Sequence, residues 1–106
     1  MADAVTPTPE EIMLGMLKVD LRLGTTTTVY DARLGQYITS AKAEIIREGY
    51  TFPETLTVRD MQLITDKAQL AWRTARGERV DDLKRMVRFE LNNAIFSQKM
   101  GGGSDD

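Results

Sequence analysis

The chain has 106 residues, 42% hydrophobic and 28% charged, with 14 basic against 16 acidic side chains for a net charge of −2. That length supports one domain with a single core burying roughly two-thirds of its unfolded surface, the charge counts against wrapping nucleic acid by phosphate neutralisation, and no apolar run approaches the roughly twenty residues a bilayer requires. Cysteine and histidine are both absent, which excludes disulfides, thiolate chemistry and a histidine general base or metal ligand.

Residues 1–7 are small and polar and are expected to form a flexible arm. The opening MADAVTPTPE lacks a basic segment followed by an apolar one, so the expectation is synthesis in the cytoplasm without a secretory signal. Thr8-Pro9-Glu10-Glu11 reads as a helix start, with Thr8 as N-cap, Pro9 at the first helical position and Glu11 reciprocating the cap. Ile12, Met13, Met16, Leu17 and Leu21 continue at helical spacing, and Gly24 is expected to end the segment. The threonines Thr25 to Thr28 are stiff, β-branched connector residues.

The longest one-sided pattern follows, from Thr28 to Gly49. Tyr30, Leu34, Tyr37, Ile38, Ala41 and Ile45 recur at steps of three and four and share one stripe of a helix. Thr28 with Asp31 three residues on predicts an acidic capping box, and Gly49 a left-handed stop. Pro53 forbids continuation, so Tyr50 to Leu56 is a linker, with Tyr50, Phe52 and Leu56 as apolar anchors.

Thr57 and Asp60 repeat the capping pattern ahead of Met61, Ile64, Ala68, Ala71, Trp72 and Ala75, a third helix ending at Gly77. A fourth starts at Asp81 or Asp82 with Leu83, Met86, Val87, Leu91, Ala94 and Ile95 turned inward, and Phe96 and Met100 extend its apolar character. GGGSDD, residues 101–106, is expected to be a flexible tail. The sum is an all-α protein: a compact four-helix bundle over residues 8–100, with short connectors and flexible termini.

Few residues suggest chemistry. The acidic Glu78, Asp81 and Asp82 lack the alternation and glycine turn of a calcium loop, and they fit the positive end of a helix, as do Glu10 and Glu11. A serine triad has no histidine to work with, and no glycine loop cradles a phosphate, so neither catalysis nor a cofactor or metal is expected. Trp72 falls on the apolar stripe of the third helix and reads as core. Of the six methionines, Met13, Met16, Met61 and Met86 stand at stripe positions and read as core filling. Lys84, Arg85 and Arg88, with Arg73, Arg76 and Arg79 upstream, form the densest basic region, either a solvated face or an interaction patch.

The order of features resembles a known family. LRLGTTTTVYDARLGQYITSAKAEIIREGY, an aromatic and proline-containing linker, a helix with AWRTARGE and a last helix RMVRFELNNAIFSQKM are similar to the small head-tail connector proteins of tailed bacteriophages. The likeness runs from about Glu10 to Met100 and rests on Asp31, Leu34, Tyr37, Ile38 and Ala41, on Ala71-Trp72-Arg73, and on Leu91-Asn92-Asn93. It implies a structural virion protein at the head-tail neck, one that forms a ring below the portal, lines the DNA channel and joins the filled head to the tail. The implied partners are the portal protein, a tail or next connector protein, and further copies of the chain in a twelve-fold ring. DNA would pass through without sequence-specific binding, and no membrane is involved. On this reading Lys84, Arg85, Arg88, Arg76 and Arg79 meet the portal or acidic residues of a neighbour such as Asp60, Asp66 or Glu78, and the terminal segments order on assembly. A second reading is a small helix-turn-helix DNA-binding regulator or packaging protein, with the third or fourth helix as the recognition helix. The net negative charge and the long linker before the third helix weigh against it.

Overall fold

A computed structural model describes residues 6–24 and 26–102, arranged as four α-helices: α1 (Pro9–Asp20), α2 (Asp31–Arg47), α3 (Val58–Ala75) and α4 (Asp81–Gly102). None of these helices is long and apolar enough to cross a membrane. The last helix runs two residues past the expected boundary at Met100; the rest of GGGSDD, the arm from Met1 to Val5, and Thr25 lie outside the described residues.

Two helix starts follow the sequence pattern. Thr8 Oγ1 accepts from the Glu11 N–H at 3.2 Å while Glu11 Oε1 accepts from the Thr8 N–H at 2.9 Å. Thr57 and Asp60 exchange the same two bonds at 3.1 Å each. The start of α2 differs from expectation. Its N-cap is Tyr30, whose side chain makes no capping bond, and Thr28 only closes a turn through its carbonyl, which accepts from the Asp31 N–H at 3.1 Å. With Tyr30 as N-cap, Asp31 is the first helical residue and not the third, so it is out of place to complete a box, and its carboxylate lies 2.8 Å from Lys18 of α1. Lys18 is itself buried, and an ion pair in place of water is what makes its charge tolerable there.

All three helix ends before α4 close in one way. The second residue past the cap donates back to the third residue from the end: Leu23 to Lys18, Tyr50 to Ile45 and Glu78 to Arg73. The left-handed residue in the second and third of these is glycine, Gly49 and Gly77. In the first it is Arg22, with φ of 60°, so α1 stops at Asp20 and Gly24 is not its terminator.

The core joins Met13 and Leu17 of α1, Leu34, Ile38, Ala41 and Ile45 of α2, Met61, Leu63, Ile64, Ala68 and Trp72 of α3, and Leu91 of α4. Trp72 is met edge-on by Tyr30 and Tyr37, with ring centroids 5.6 and 5.8 Å away, each geometry favoured by the aromatic quadrupole. Tyr37 is half-buried, whereas Tyr30, expected in the core, is 38% exposed because it stands ahead of the helix and gives Trp72 only one edge. The Tyr50–Leu56 linker is anchored as expected, with Tyr50, Phe52 and Leu56 packed on the core. α3 touches every other helix, and α4 lies chiefly along α3. The result is flat, with extents of 46 × 46 × 17 Å and a radius of gyration of 15.1 Å.

Candidate interaction surface

α4 buries one narrow face. Val87 and Leu91 are buried, Leu83, Ala94 and Ile95 are half-buried, and of these Leu91, Ala94 and Ile95 join the core of the body. Met86 was expected with them and is 41% exposed. It stands about 100° around the helix from Val87, enough to turn it out of the contact. With Phe89 at 67%, Phe96 at 64% and Met100 at 62% exposed, it forms a second apolar stripe. Positions 86, 89, 93, 96 and 100 alternate steps of three and four, the spacing of a helix seam, with Asn93 in the middle. Sequence reasoning passed over this stripe; the alternating step was the signal that marked it.

Beside the stripe lies a basic flank. Lys84, Arg85, Arg88 and Lys99 are all exposed. Only Arg85 among them has an ion-pair partner within the described residues, Asp82 at 2.6 Å, and both side chains are almost fully solvated. Arg79 is exposed in the turn before α4. Arg76 lies over the Trp72 ring at 5.6 Å and 3.7 Å from Glu78. Glu78 is bound more closely by Arg73, at 2.7 Å, and Arg73 also donates to the Asp20 carbonyl at the end of α1. The cluster Glu78, Asp81 and Asp82 is therefore divided between the end of α3 and the first turn of α4.

Two acids expected at a neighbour's interface are inside instead. Asp60 is 4% exposed, spent on the α3 cap and on the Tyr50 hydroxyl, which donates to it at 2.7 Å. Burial, then that bond to the carboxylate, pushes the Tyr50 phenol up to about 12. Asp66 is 5% exposed, accepts from Gln62 Nε2 at 2.9 Å and faces Glu90 of α4. Burial, followed by the bond to Asp66, raises the Glu90 carboxyl to about 7. These acids line or adjoin a cleft of about 430 Å³ between α3 and α4, bordered also by Arg59 and Asn93. Their charges are consumed within the chain and are not available to a second one.

A larger groove, of about 690 Å³, lies between α1 and α2, with Leu14 and Ile38 on its floor, Ala32 and Gly35 on its wall, and Glu10 and Glu11 at its rim. Comparison with known protein families, with curated proteins and with solved structures finds no match.

Proposed function

We propose that the protein is a structural connector of a tailed-phage neck, which assembles as a ring on the portal and links the filled head to the tail. The observation that carries this reading is α4: one face closes the fold while an apolar stripe and a basic flank are left exposed among the described residues. Exposed Phe and Met edged by Arg is the composition of protein-binding patches. The resemblance of the chain to head-tail connectors supplies the identity of the partner, and a mildly acidic subunit suits a channel through which DNA must slide. Asp60 and Asp66 are buried and Glu78 stays near the surface, so the flank's counterpart lies on another chain of the neck, the portal or a further copy.

The test is charge reversal of the flank, Arg85→Glu with Arg88→Glu, followed by imaging and co-sedimentation with portal rings. Solvated ion pairs contribute little to stability, so the melting temperature should stay within a few degrees while portal binding falls at least tenfold. Unchanged binding, or binding and stability lost together, would overturn the assignment. The regulator reading is disfavoured by the first turn of α4, where Asp82 is almost fully exposed beside Asp81. A recognition helix presents that turn to the groove, and two carboxylates there repel phosphate.

A further inference from the structure

We infer that the outward stripe of α4 seats in the α1–α2 groove of a second copy of this chain. The inference rests on the connector reading for ring closure and adds to it the two surfaces that meet. Met86, Phe89, Phe96 and Met100 supply the knobs, all on one side of a helix already held on α3 by Val87 and Leu91. The groove supplies the room. Among the described residues, a Cβ added to Gly35 would meet nothing within 4 Å, so no contact they make calls for glycine at that point inside α2. Glycine inside a helix is destabilising, and its usual compensation is the close approach of something else.

Charge gives the contact its direction. The stripe is edged by Arg85, Arg88 and Lys99, and the groove by the exposed Glu10 and by Glu11, one carboxylate oxygen of which also closes the α1 cap. Two α4 stripes packed on each other would set basic flank near basic flank. Among the described residues of α4, Glu90 on the opposite side of the stripe is turned toward Asp66, and Asp82, in line with the stripe one turn before Met86, is already paired with Arg85, so neither is free to relieve that repulsion. Stripe and groove are different surfaces, so the contact is head-to-tail and repeats from copy to copy, closing as a ring where the rotation allows.

The absence of cysteine makes this directly testable, because any disulfide must come from introduced residues. Asn93→Cys marks the stripe without removing its four apolar side chains, and Gln36→Cys marks the groove. The two single variants, each checked for native helicity, are mixed in equal amounts at millimolar concentration under mild oxidation. Mixed disulfides should exceed either homodimer several-fold, against the roughly twofold of random pairing, and Gly35→Leu, which fills the groove, should abolish the excess. A predominance of Asn93→Cys homodimers, or no cross-linking by folded variants, overturns the pairing. Cross-linking together with failure to bind portal rings would instead overturn the connector reading and leave the pairing intact.

Discussion

Glu90 shows how a single carboxyl changes meaning with its surroundings. On a bare helix it would be an ordinary surface acid; here burial and the neighbouring Asp66 lift it from 4.5 to about 7. Between those two values the folded chain holds a proton that the unfolded chain has released, so this group's contribution to stability falls as pH rises through the interval. The penalty is complete above about pH 7, where both states are ionised. Glu90→Gln keeps a donor toward Asp66 and removes the ionisation. Urea denaturation should therefore find the variant more stable than the parent at about pH 8 and nearly equal at about pH 5. A gap that does not change with pH would mean that Glu90 is solvated and its shift absent.

At the scale of elements, Arg22 offers the sharpest expectation. Its φ of 60° places a side chain where the left-handed bend of α1 favours glycine, the residue used at the equivalent points after α2 and α3. Arg22→Gly removes that strain, worth roughly 1–2 kcal/mol, and gives part of it back through the freer unfolded chain. A net gain of about 0.5–1 kcal/mol should appear as a higher urea midpoint at constant slope. The same position explains what the sequence could and could not reveal. Gly24 looked like the terminator because glycine usually is, yet the Schellman bonds from Arg22 and Leu23 had already ended the helix. Periodicity revealed the four helices, and pairs such as Thr8–Glu11 and Thr57–Asp60 fixed two starts, because both signals are local. Met86 and the buried Asp60 and Asp66 escaped it for one reason. Apolar residues cover most of the circumference of α4, and which arc meets the body is decided by α3, as the fate of each acid is decided by Tyr50 and Glu90.

The whole molecule divides into a body of α1, α2 and α3 sharing one core, and α4 resting chiefly on α3. At 22 residues α4 is about 33 Å long, yet its last fully buried side chain is Leu91, near the midpoint. Beyond it, Ala94 and Ile95 are half-buried, and Gln98 makes two bonds to Thr51 of the linker, donating to its carbonyl at 2.6 Å and accepting from its N–H at 2.9 Å. Among the described residues that amide makes the last side-chain hydrogen bonds between the helix that carries the exposed stripe and the rest of the chain. Gln98→Ala removes both bonds without touching the core. Two exposed hydrogen bonds contribute on the order of 1 kcal/mol together, so amides of α4 after Leu91 should exchange roughly fivefold faster. Those of α1, α2 and α3 should keep their protection. Acceleration shared by all four helices would instead mean that α4 opens only with the body, and a partner on the stripe would then meet a rigid helix with no free end to adjust.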